Sequence, residues 1–79
     1  MTADEMFEKL GYKKIKEDDV EILYRQSETI FGEKFVFELL FAKLSKVVFS
    51  QTHFRETIGI KMPVLQAINQ KCKELGWIE

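Results

Sequence analysis

The 79-residue sequence predicts an α+β fold: a short N-terminal helix, a four-stranded antiparallel sheet made of two hairpins, and a C-terminal helix packed on the sheet. Three observations predict it. Residues 62–77 carry a complete helix signature with a start and a stop. Four β-favouring stretches, at 12–16, 21–26, 35–41 and 46–52, are separated by turn-like segments. Both candidate helices end in leucine, glycine and an aromatic residue, as Leu10-Gly11-Tyr12 and Leu75-Gly76-Trp77.

The first helix opens at Thr2, with Glu5 at the spacing of a capping box, in which hydroxyl and carboxylate each satisfy a backbone N–H. It runs to about Leu10 and offers Met6, Phe7 and Leu10 to a core. A helix this short is unstable in water unless it docks. The first hairpin joins strands at 12–16 and 21–26 through Glu17, Asp18, Asp19 and Val20, where aspartate can hydrogen-bond its own backbone. Residues 27–34 read as a loop, with Ile30 and Phe31 folded over a core edge.

Residues 35–44 fit two patterns. Phe37, Leu40, Phe41 and Leu44 form a helical stripe, whereas Phe35, Phe37, Leu39 and Phe41 alternate along a strand. The β-favouring run at 46–52 that follows tips the reading toward a hairpin with its turn at 42–45. Residues 53–61 form a connector pinned by Ile58 and Ile60.

The closing helix starts at Pro63, whose fixed φ and missing N–H suit a first turn. Leu65, Ile68, Cys72 and Leu75 recur at helical spacing, and Val64 widens the stripe. Lys71 and Lys73 complement the dipole in the last turns, and Gly76 provides the left-handed stop. Trp77 is placed to fold back over Leu75 or Cys72. A core-facing stripe is the ordinary reading of this pattern, ahead of a partner-binding one.

Length limits the chain to one small domain, residues 1–79, with a marginal core. One cysteine precludes an internal disulfide and a paired-cysteine zinc site, so self-association is the staple left to a domain of this size. The acidic opening residues do not match a signal peptide, and no apolar run approaches the ~20 residues of a membrane span. The expected location is the cytoplasm, without a membrane. Residues 1–21 hold seven acids against four lysines, and residues 22–79 eight basic residues against six acids, so neither part is strongly charged.

Four candidate chemistries follow. His53 has the pKa range of a general base, but no nucleophile is placed near it by any pattern, and a surface role is the simpler reading. Cys72 lies on the apolar stripe rather than in the electropositive setting of a reactive thiol. Asp18, Asp19 and Glu21 lack the spacing and glycine of a calcium loop. Lys43, Lys46, His53, Arg55 and Lys61, with Phe49 and Phe54 interleaved, form the nearest approach to a nucleic-acid surface, and Glu56 interrupts it. No catalytic residue, cofactor or metal is expected.

A different feature points to a partner. If Phe35, Phe37, Leu39 and Phe41 face the helices, then Val36 and Leu40 face the other way, joined by Leu23 or Val48. A sheet covered on one side should be polar on the other. Val36, Leu40 and Val48 are therefore candidate interface residues, for a second copy or a foreign protein.

The opening MTADEMFEKLGY and the closing MPVLQAINQKCKELGW resemble segments of small uncharacterised proteins from phages and prophages of Gram-positive bacteria. Together these segments cover about a third of the chain. The middle is similar only in its pattern of paired strands, and Ala42, Leu44 and Ser45 stand where that family's turn has Asp and Asn. The resemblance implies a phage-associated cytoplasmic protein and brings no activity. The expected function is a non-enzymatic protein-interaction module, self-associating or bound to another protein. The alternative is a nucleic-acid-associated accessory factor.

Overall fold

The computed structural model describes residues 1–52 and 60–79, and of Ile30 only the backbone. The order is α1 (Ala3–Lys9), β1 (Lys13–Glu17), β2 (Glu21–Ile30), β3 (Glu33–Ala42), β4 (Val47–Thr52) and α2 (Met62–Glu74). The four strands form one antiparallel sheet in sequence order, β1-β2-β3-β4. The α+β fold of two helices and a four-stranded sheet is the one expected.

The capping box at Thr2 forms: Glu5 N–H donates to Thr2 Oγ1 at 3.2 Å, and Thr2 N–H to Glu5 Oε1 at 3.0 Å. Both helices close in the same way. Tyr12 N–H reaches Phe7 O and Gly11 N–H reaches Glu8 O; Trp77 N–H reaches Cys72 O and Gly76 N–H reaches Lys73 O. These are the paired bonds of a Schellman motif, with the glycines at φ +89 and +77. The motif turns Tyr12 and Trp77 back onto the core. Tyr12 is thus a buried cap ring rather than the first residue of a strand.

Residues 35–42 are strand. Phe41 opposes Ile22 and Val48, and Leu39 opposes Tyr24 and Ser50. Tertiary pairing overrides the competing helical stripe because both flanks of β3 find partner strands. The turn after it runs from 43 to 46, one residue later than expected, with Lys46 at φ 56. Lys43 N–H donates to Val20 O, tying this turn to the one before β2.

Residues 27–34 are not a loop. β2 and β3 pair without a break from Glu21↔Ala42 to Ile30↔Glu33, and only Phe31 and Gly32 make the turn. Both sit at positive φ, 53 and 81, the requirement of a type I′ hairpin. β1 and β4 end near Arg25 and Phe37, so the hairpin projects beyond the rest of the sheet as a two-stranded arm. Phe31 stands at its tip, fully exposed, not over a core edge.

The core lies between the helices and one sheet face. Ala3, Phe7, Tyr12, Ile22, Tyr24, Leu39, Phe41, Ala67 and Ile68 are buried in one cluster. Phe7 is at its centre, stacked on Tyr24 at 4.3 Å and edge-on to Tyr12 and Phe41 at 5.8 and 6.1 Å. Trp77 approaches Phe41 at 6.2 Å. Phe35 and Phe37 share this face but lie toward the arm and are half-buried.

The buried side of α2 differs from the expected stripe. Ala67, Ile68 and Lys71 are buried, and Val64, Cys72 and Leu75 pack against the cluster. Leu65 is 45% exposed. The helix is rotated so that its buried side carries the small Ala67 and Lys71, which reaches Asp4 of α1, and this leaves Leu65 turned outward. Ile60 is also substantially exposed, and Ile58 lies outside the described residues.

Candidate interaction surface on the open sheet face

Ladder partners in an antiparallel sheet share a face, so the register assigns every strand side chain to one. Phe41 on the core face places Ile22 and Val48 there. Val48 packs against the core cluster, which corrects its assignment to the outer face. Leu40 faces away, opposite Leu23 and Phe49. The third apolar residue of the outer row is thus Phe49: across a four-residue turn the odd positions of β3 pair with the even positions of β4, which sets Val48 on the core face with Leu39 and Phe41. A four-residue turn placed one position earlier would leave Val48 on the core face as well; only a turn longer or shorter by one residue would exchange Val48 and Phe49.

The outer row runs Lys16–Leu23–Leu40–Phe49 across all four strands. Next to it lies Ala42 opposite Val47. Leu23 and Leu40 are half-buried by their neighbours, whereas Phe49 is 46% and Val47 40% exposed. Ile15, the extra residue of a bulge in β1, Val20 in the β1–β2 turn and Leu44 in the β3–β4 turn add further exposed apolar surface at this end. Among the described residues, no helix lies over this face. Val36 shares it but sits on the arm, opposite Ser27.

Charges border the apolar area in matched pairs. Arg25 donates from Nε and Nη2 to Glu38 Oε2 at 3.0 and 2.9 Å, directly across the β2–β3 ladder. Lys16 Nζ binds Glu21 at 2.6 Å and Asp18 at 3.5 Å. Asp18 Oδ1 also accepts from Val20 and Glu21 N–H, and these backbone bonds hold its carboxyl below the ordinary range. The acids of this turn therefore build the turn. Among the described residues, no group of three or more His, Cys, Asp or Glu is placed to share a metal ion.

Lys43 and Lys46 belong to the β3–β4 turn, where Lys43 is half-buried and Lys46 exposed. Arg55, His53 and Phe54 lie outside the described residues. With acids paired to Lys16 and Arg25, the outer face carries no continuous cationic track among the described residues.

A polar knot joins α1, the sheet and α2 on the core side. Asp4 Oδ1 accepts from Tyr24 OH at 2.5 Å and lies 3.5 Å from Lys71 Nζ; Asp4 Oδ2 accepts from Lys14 Nζ at 2.8 Å. Glu74 accepts from Ala3 N–H at 2.7 Å and from Gln70 at 3.1 Å. Partial burial pushes the Asp4 carboxyl up, but bonds from Lys14 and Tyr24 and the charge of Lys71 outweigh it and hold the group at about 2. Burial and the Asp4 carboxylate push the Tyr24 hydroxyl well up. An ionised acid and a protonated phenol locked together are poor proton-transfer partners near neutral pH. The knot clamps the helices and presents no activated nucleophile. Burial likewise pushes the Cys72 thiol up, away from the reactive thiolate.

A cleft of about 170 Å³ opens between Leu10, Phe37, Leu39 and Val64. Its polar walls include Tyr12 and Gln26, and the Gln26 amide is already committed to Leu10 O at 3.0 Å. Glu28 and Lys61 also line the cleft, and burial together with the Glu28 charge pushes the Tyr12 hydroxyl up, away from ionisation. Among the described residues, no helix is long and apolar enough to cross a membrane. Comparison of the chain with protein-family models, with curated proteins and with solved structures returns no match.

Proposed function

We propose that this chain is a small, non-enzymatic protein-interaction module of a phage or prophage, acting in the cytoplasm through the outer face of its sheet. The observation that carries the reading is the row Leu23–Leu40–Phe49, an apolar line on the face away from both helices. Sheets with one covered face ordinarily present a polar second face, and an apolar one is the mark of a contact surface. The phage association rests on the resemblance of the two terminal segments.

The test compares capture by the wild-type protein with capture by Leu40→Lys, which places a charge in the middle of the row and leaves the core face alone. Proteins retained by the first and lost by the second support the reading. Equal capture by both, or retention on heparin that falls with salt and with loss of Lys43 and Lys46, would overturn it in favour of phosphate binding.

A further inference from the structure

The two edges of the sheet are built differently. β1 carries four charges in five residues, Lys13, Lys14, Lys16 and Glu17, and is bulged at Ile15. Charge and a bulge are the devices that keep an edge from pairing with another strand. β4, at the other edge, is Val47-Val48-Phe49-Ser50-Gln51-Thr52. It has no charge, proline or glycine, and it pairs with β3 without a bulge. Among the described residues, no strand lies beyond it.

We infer that β4 is a self-pairing edge, and that two copies of the chain join there, antiparallel about Phe49, into one eight-stranded sheet. The inference rests on the outer face being a contact surface and names its partner as a second copy. Symmetry and pleat select the register. Ladder partners share a face, so a two-fold axis normal to the sheet must pass through a residue, not between two. Centred on Phe49, the seam pairs Phe49 with its equivalent, Val47 with Gln51 and Val48 with Ser50. All these positions belong to β4.

That register extends the apolar row without interruption: Leu23, Leu40 and Phe49 of one copy, then Phe49, Leu40 and Leu23 of the other. Aromatic cross-strand pairs favour such ladders. No like charges meet across the seam, because the strand contributes none. Centring on Ser50 instead would offset the rows and separate the rings. A foreign strand would need only a matching edge, whereas the continued row is a property of this chain against itself. Five residues at about 3.4 Å each make a seam of only about 17 Å, short of a standard interface. The dimer is therefore weak and concentration-dependent.

Two measurements test this. Sedimentation across a wide concentration range should show reversible monomer–dimer exchange, abolished by Phe49→Lys with the circular-dichroism spectrum unchanged. In a Cys72→Ser background, Phe49→Cys should give a disulfide-linked dimer on mild oxidation, since Cα atoms of ladder partners lie within disulfide reach. Val47→Cys and Gln51→Cys should each link poorly alone but link to one another when mixed. A strictly monomeric protein overturns the inference. So does a dimer in which position 49 does not cross-link, and that second result leaves the outer face standing as a contact surface of another kind.

Discussion

Asp4 is the residue whose environment most changes its chemistry. It is held at about 2 in the folded protein, below its ordinary 3.8. A group depressed on folding stabilises the protein above its unfolded pKa, and that stability is lost as pH falls through the folded value. Its side chain is 43% exposed, so screening reduces the effect to about 1 kcal/mol. Asp4→Asn should lower stability by that amount at pH 6, and the gap from wild type should close between about pH 4 and pH 2. Denaturant titrations across that range check it. Lys71 is buried to 7% exposure and packs its stem among the helices. Lys71→Met keeps the stem and should cost less than about 1 kcal/mol, while Lys71→Ala should cost about 2 kcal/mol through lost packing. Equal losses in the two variants would show that the charge, not the stem, is what counts. Sequence pattern gave no hint that Lys71 is buried, because a lysine in the last helical turn reads first as a dipole partner.

At the scale of elements, the two Schellman closures make parallel predictions. Both glycines require positive φ, so alanine costs about 1 kcal/mol at either. At Gly11 an added Cβ would also meet Gln26 Nε2 at 3.2 Å, while at Gly76 nothing lies within 4 Å. The Gln26 amide there donates to Leu10 O, so Gly11→Ala should be the more destabilising of the two in thermal melts. The arm tip offers the opposite case. Phe31 occupies a left-handed position that favours asparagine, and its ring is wholly exposed. Phe31→Asn should raise stability by about 0.5–1 kcal/mol, seen as a higher denaturation midpoint. The Leu-Gly-aromatic closures were legible in the sequence because helix stops are local. The arm was not: Phe-Gly is a poor hairpin signal, and Gly32 alone does not distinguish a two-residue turn from a longer loop.

For the whole molecule, the register makes neighbours in sequence behave differently. Leu39 is buried under the helices at 2% exposure, and Leu40, on the other face, is half-buried by its strand neighbours. Leu39→Ala should cost about 2–4 kcal/mol and Leu40→Ala about 1 kcal/mol, since the cavity penalty applies only where surrounding atoms cannot close in. A chain of this size has only a few kcal/mol to lose, so the first variant should be largely unfolded at 37 °C and the second folded. Matching losses would mean that the outer face is covered as thoroughly as the inner one.

The amino-acid order determined what depends on near neighbours: the capping box at Thr2, the proline start and glycine stops of the helices, the acidic turn before β2, and the α+β class itself. Tertiary structure alone decided which faces those elements present. Whether residues 35–42 are strand or helix depended on both flanks finding partner strands. The placing of Phe49 rather than Val48 on the outer face followed from the pairing of β4 with β3, and the outward turn of Leu65 from which side of α2 meets the core. Local backbone preferences act within a few residues, whereas register and helix rotation are set by packing between segments far apart in the chain. The surface proposed to bind a partner belongs to the second kind, which is why its residues could be only partly named beforehand.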